Sequence, residues 1–166
     1  MEKLKRIVAP TDMSELSRVG VRHALEMAKS SGADVIVHHV IPFEQATPYF
    51  YATGDESSSP VEYRPLPEVV EECKRHLAKF LRENFGDLIR EVTVRQEVEL
   101  GLPYKRIVER ALEEGADMIV ISTHGRTGLL RMLIGSVAER VVRLAHCPVL
   151  VVRPTKEAAE VKRAAA

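Results

Sequence analysis

The chain has 166 residues, 45% of them hydrophobic and 29% charged, the size and make-up of one globular domain with a full core. That excludes a disordered or membrane-embedded chain. Lysine plus arginine and aspartate plus glutamate each number 24, so no global field draws the protein toward nucleic acid or anionic lipid. Any anion binding must be local.

Taken in chain order, the first apolar run is a predicted strand over Leu4 to Ala9. Its core, Ile7-Val8-Ala9, stops at Pro10-Thr11-Asp12, too short for the apolar segment of an export signal, and no stretch reaches the length of a bilayer span. A cytoplasmic location is therefore expected. Leu16, Val19, Ala24, Met27 and Ala28 then recur at helical spacing behind Asp12 and Ser14. Asp12, with Glu15 three residues on, has the spacing of an N-cap.

A second strand is predicted over Val35 to Val40. His38 and His39 lie within it on opposite faces, so they cannot share one metal ion and read as core histidines. Residues 43–67 have little periodicity and carry four prolines, a Ser57-Ser58-Ser59 run and the aromatics Tyr49, Phe50, Tyr51 and Tyr63. Loops this long are usually functional or disordered. Starting beside Val40, this one would serve as a cover over a ligand or as an arm across a dimer.

Val70, Cys73, Leu77, Phe80 and Leu81 define the next helix, followed by a strand over Val92 to Val98. Gly101-Leu102-Pro103 is a turn plus a first-turn proline, opening a helix through Ile107, Val108, Ala111 and Leu112. A strand over Met118 to Ile121 runs into a glycine loop, and a last helix through Val137, Val141, Val142 and Ala145 leads to a strand over Val149 to Val152. Cys73 and Cys147 lack the spacing of a zinc site or a disulfide framework. Residues 155–166 form a charged, alanine-rich tail beyond a domain of residues 1–154.

Strands that are continuously apolar and alternate with helices predict a doubly wound α/β fold with five parallel strands, for which the Rossmann-like order 3-2-1-4-5 is expected. Ligands on such sheets bind beyond the carboxyl ends of the strands, near the point where the strand order reverses. Pro10 to Ser14, Val40 to Pro42 and Ser122 to Gly128 should meet there. Val149 to Val152, late in the chain and apolar, would form a sheet edge that pairs with a second copy.

The glycine loop carries the chemistry. Gly125 and Gly128 permit positive φ and leave no Cβ before an approaching oxygen. Gly135-Ser136 starts a helix whose N–H groups and dipole favour an anion by about 0.3–1 kcal/mol. No lysine follows the last glycine, and neither a G-x-x-x-x-G-K nor a G-x-G-x-x-G pattern occurs. This is a non-Walker nucleotide loop. Arg126 and Arg131 are its cations, and His124 has no identifiable carboxylate partner that would make it a general base. Ser136-Val-Ala-Glu139 also reads as a capping box.

Ile7-Val8-Ala9-Pro10-Thr11-Asp12-Met13-Ser14, His39-Val40, Gly101-Leu102-Pro103, Ser122-Thr-His-Gly125-Arg-Thr-Gly128 with Gly135-Ser136, and Cys147-Pro-Val-Leu-Val-Val152, in this order, resemble the universal stress protein family. The resemblance implies a five-stranded sheet, a homodimer, a cytoplasmic stress-linked role and, in one branch, ATP binding through Gly-x2-Gly-x9-Gly-Ser/Thr. Gly125, Gly135 and Ser136 fit that pattern, while Ser122 stands at its first glycine.

By the same resemblance, Asp12 would meet the ribose and Val40 the adenine through its backbone. Gly125, Gly135, Ser136 and Val137 would surround the phosphates, and Pro10 and Ile121 would wall the base. Thr11, Ser122, His124, Arg126 and Gly128 complete the nucleotide-binding candidates. A triphosphate would bring Mg or Mn, for which Asp12 alone is a poor ligand set. No catalytic residue is assigned, so hydrolysis would be slow at most, and the nucleotide would act by biasing a conformation read by an unidentified signalling partner. Two other classes remain open: a nucleotide-independent dimer, and an enzyme of a related superfamily. An ATP pyrophosphatase would need a Ser-Gly-Gly loop after the first strand, where this chain has Pro10-Thr11-Asp12-Met13-Ser14.

Overall fold

The computed structural model of the protein describes residues 3–46, 66–123 and 134–153. In chain order the elements are β1 (Arg6–Pro10), α1 (Glu15–Ser31), β2 (Asp34–Ile41), α2 (Phe43–Ala46), α3 (Leu66–Phe85), β3 (Val94–Leu100), α4 (Pro103–Glu113), β4 (Met118–Ser122), α5 (Ser136–Leu144) and β5 (Val149–Val152). The strands form one all-parallel sheet in the order β3-β2-β1-β4-β5, as the alternating pattern predicts.

Burial follows position in the sheet. From Val35 to Ile41 every residue of β2 is buried, because helices cover both faces of a central strand. At the edge, β3 tolerates Arg95, Gln96, Glu97 and Glu99 and is only partly buried. Its pairing runs from Val35 opposite Val94 to Ile41 opposite Leu100, so the strand begins and ends two residues later than its valines suggest.

Successive strand side chains point to opposite faces, and two cores result. Against α1 and α3 pack Ile7, Val35 and Val37 with Val21, Leu25, Leu77, Leu81 and Phe85. Against α4 and α5 pack Val8, Ile36, Ile119 and Ile121 with Ile107, Ala111, Ala138 and Val141.

Local chemistry ends the helices where the sheet needs them to end. The Ser14 hydroxyl oxygen accepts from the Ser17 N–H at 3.2 Å to start α1, and Gly32 closes it in the left-handed region at φ +73°. In the middle of α1, a Cβ on Gly20 would stand 2.9 Å from the backbone nitrogen of Ser122. The missing side chain lets α1 lie directly on the end of β4.

The irregular stretch predicted over residues 43–67 is shorter than that. Phe43–Ala46 forms a helical turn, and α3 already begins at Leu66 with Pro67 in its first turn, where a missing N–H breaks no helical bond. Residues 47–65, with the cover ascribed to them, and the tail lie outside the described residues. No helix among the described residues is long and apolar enough to cross a membrane.

Candidate functional site: a cleft at the carboxyl edge of the sheet

The chain winds from β1 toward β2 and β3, then crosses back to β4 and β5, so the strand order reverses between β1 and β4. A cleft opens there, about 800 Å³ counted out to its mouth. Pro10, Thr11 and Asp12 enter it from the end of β1, Val40 from β2, Ile121 and Ser122 from β4, and Gly135, Ser136 and Val137 from the start of α5. The sequence assigns all of these to a nucleotide site. His124, Gly125, Arg126 and Gly128, together with Arg131, lie outside the described residues.

The turn after β1 is fixed by its own side chains. Thr11 N–H donates to the His38 carbonyl at 2.9 Å, while the Thr11 hydroxyl accepts from Met13 N–H at 3.0 Å and pairs with the Ser17 hydroxyl at 2.8 Å. Asp12 Oδ1 accepts from Ser14 N–H at 3.0 Å. Asp12 therefore shapes the turn, and Ser14, not Asp12, caps α1. Met13 sits at φ +60°, a conformation that costs a non-glycine residue energy and holds only where neighbours over-determine it.

At α5 the capping-box reading is corrected. Gly135 is the N-cap, with φ −71° and ψ 156° and no side-chain bond, and Ser136 is the first helical residue. The extended backbone at Gly135 accepts from Glu139 N–H at 3.0 Å and donates to the Thr123 carbonyl at 2.7 Å. Ser136, one position too late to cap, stays exposed. The N–H groups of Ser136, Val137 and Ala138 have no acceptor within the helix, and these residues line the cleft.

Ser122 departs from the glycine of the pattern, and its side chain explains why the cleft survives. The Ser122 hydroxyl donates to the Leu16 carbonyl of α1, on the face that Val120 shares. Ile121, on the other face, belongs to the α4/α5 side where Val40, Ile107 and Ala138 make the apolar wall. The extra atoms at Ser122 are committed to α1, not to the cleft.

Sequence reasoning missed Pro103, Ile107 and Ala138, because their place depends on how α4 and α5 dock. The motif Gly101-Leu102-Pro103 was the available signal, since it starts a helix at the same edge of the sheet. It also missed His38 as a cleft residue. His38 is only 1% exposed and lines the cleft, yet neither ring nitrogen has a hydrogen-bond partner. Burial, reinforced by the positive charges of Arg110 and Arg106 and opposed by Glu99, lowers its pKa from 6.5 to about 4. His39 turns to the other face, where Nδ1 bonds the Thr11 carbonyl at 2.9 Å.

Glu99 lies beside His38, with Oε1 3.5 Å from His38 Nε2. Arg110 Nε donates to the same oxygen at 2.7 Å, and the Arg106 guanidinium pairs with the other. Burial works to raise the Glu99 pKa, but the hydrogen bond and charge of Arg110, with the charge of Arg106, hold it below the ordinary carboxylate value. Glu99 is ionised at neutral pH and His38 is not. Among the described residues no group of three or more His, Cys, Asp or Glu side chains could hold a metal ion.

A doubly wound parallel sheet with a cleft at its switch point and a helix N-terminus beside that cleft defines the Rossmann-like class of α/β proteins. Residues 3–153 match the model of the universal stress protein family, and the chain belongs to that family. It is 39% identical over 153 residues to universal stress protein MJ0531 of Methanocaldococcus jannaschii, covering 92% of this chain and 84% of that one. MJ0577 of the same organism is 32% identical, covering 90% of this chain and 94% of the relative. Among solved structures, hypothetical protein MJ0577 superposes with a TM-score of 0.66 at 27% identity, covering 93% of this chain and 99% of that one. A universal stress protein solved in complex with cAMP superposes at 0.61 with 22% identity, covering 92% of this chain and 98% of that one.

Proposed function

We propose that the chain binds an adenine nucleotide in this cleft and acts as a nucleotide-responsive stress-protein dimer. The observation that carries the reading is the meeting, in one cleft, of an apolar wall with the first N–H groups of α5, which have no acceptor within their own helix. Val40, Ile107 and Ile121 take the base, Asp12 takes the ribose, and the start of α5 takes the phosphates together with the glycine loop. Micromolar affinity requires about 8 kcal/mol, more than a helix terminus supplies at about 0.3–1 kcal/mol, so base burial provides the larger share. That the same fold has been solved with cAMP in another family member agrees with this assignment.

The commitment of the Ser122 hydroxyl to α1 favours nucleotide binding over a nucleotide-independent role. Hydrolysis would be slow at most, since the reading assigns no catalytic residue to the cleft. A cation would travel on the triphosphate's own oxygens, since among the described residues Asp12 is the only carboxylate lining the cleft. The dimer forms through β5, whose edge position and partly exposed Val149, Leu150 and Val151 offer unpaired backbone groups to a second copy. Calorimetric titration of nucleotide-free protein with Mg-ATP tests the reading. Saturable micromolar binding at one site per chain supports it; no saturation at millimolar ATP removes it.

A further inference from the structure

Among the described residues the cleft contains one buried polar side chain with no hydrogen bond. Thr11 and Ser122 are buried there too, but Thr11 bonds Met13 and Ser17, and Ser122 bonds Leu16. His38 has no such bond at either nitrogen, although buried polar groups almost always find a partner. Its position is set by β2: it lies on the same face as Val40, two residues deeper, and so belongs to the apolar end of the cleft and not to the end where α5 begins.

The charges around it settle which nitrogen carries the proton. Nε2 is the atom beside the ionised Glu99 carboxylate, so the proton is favoured on Nε2 and the lone pair on Nδ1. Arg106 and Arg110 anchor Glu99 from α4 and keep it charged. The result is a buried neutral acceptor with nothing to accept from. Such an atom repels a phosphate oxygen and suits an N–H donor.

We infer that His38 is a specificity-determining residue of the nucleotide cleft, where its Nδ1 accepts a hydrogen bond from an exocyclic amine of the bound base and so selects an amino-purine over an oxo-purine. The inference rests on the nucleotide reading above and adds to it the residue that enforces the choice of base. A purine carrying a 6-oxo group presents an oxygen to the same lone pair and leaves His38 unpaired. Glu99 is a positioning residue that sets the tautomer.

The test compares the affinities of ATP and ITP, which differ at the 6-position of the base, for the wild type and for His38→Leu. Wild type should prefer ATP by about tenfold or more, the worth of one buried hydrogen bond, and His38→Leu should shrink that ratio several-fold while binding ITP no worse than wild type does. A ratio unchanged in a variant that melts cooperatively overturns the role of His38 and leaves the nucleotide reading standing. Wild type that binds neither nucleotide overturns both. A second measurement needs no variant. In protein carrying 15N-labelled histidine, saturation with ATP should move the His38 Nδ1 resonance and saturation with ITP should not; an Nδ1 resonance unmoved by saturating ATP overturns the inference.

Discussion

The two faces of the sheet are built from the same alternating strands but bury different things. Toward α1 and α3 the interior is mostly hydrocarbon, filled by Val21, Leu25, Leu77, Leu81 and Phe85, and its buried His39 and Ser122 side chains are hydrogen-bonded to backbone carbonyls. Toward α4 and α5 the apolar cluster is smaller, and it shares its space with the cleft and with His38, Glu99, Arg106 and Arg110. Phe85 and His38 are equally hidden from water at 1% exposure, yet one packs edge-on against Phe80 at 5.6 Å between ring centres while the other has unpaired ring nitrogens. The difference separates a face that stabilises from the face to which we assign binding.

Truncation in the dry face should give the largest effect. Phe85→Ala is expected to cost about 3–5 kcal/mol of stability, read from urea unfolding midpoints, with the ATP affinity of the folded fraction unchanged. A smaller loss, or a large loss of affinity, would blur the division between the faces.

Acid should act through the other face. His38 in the unfolded chain titrates near 6.5, but in the folded protein near 4, so between those values the unfolded state binds more protons. Stability is then complete above pH 6.5 and falls as the pH drops toward 4, by on the order of 3 kcal/mol. Glu99, whose pKa is lowered in the fold, adds a loss in the same direction at lower pH. Unfolding midpoints measured from pH 7 to pH 4 should show the decline in wild type and a much flatter course in His38→Leu.

Gly20→Ala probes the contact between α1 and the end of β4. Its new Cβ would meet the Ser122 backbone nitrogen at 2.9 Å, which backbone atoms cannot easily yield, so a loss of about 1–3 kcal/mol is expected. The smallest effect should come from Ser122→Gly, which restores the glycine of the nucleotide pattern. Losing the bond to the Leu16 carbonyl and gaining backbone freedom should cost about 1 kcal/mol, with ATP affinity staying within about twofold. A much tighter complex would mean that the serine does intrude on the cleft.

How much of this was legible in the sequence depends on the range of the interaction. Apolar runs placed four of the five strands and marked them as parallel, since a strand covered on both faces must read as continuous hydrocarbon. The exception was β3, where an edge strand mixes Arg95, Gln96 and Glu97 into its pattern and only pairing with β2 fixes the register. Pro10, Asp12, Val40 and Ser136 were placed at the cleft because strand ends and helix starts are local features. The caps were assigned to the wrong neighbours, Asp12 for Ser14 and Ser136 for Gly135, since side-chain type alone does not reveal which residue has the extended backbone. His38 was read correctly as buried. Its partners Glu99, Arg106 and Arg110 are more than sixty positions away, brought near by the docking of α4 on β2 and β3, and no local pattern encodes that.

The most direct test is a backbone amide NMR titration of the full chain with Mg-ATP. The amide signals of Val40, Ser136, Val137 and Ala138 should shift in a saturable way with a common dissociation constant, while those of Leu77, Leu81 and Phe85 in α3 stay in place. Shifts centred on α3, or none at millimolar ATP, would contradict a nucleotide cleft on the α4/α5 face.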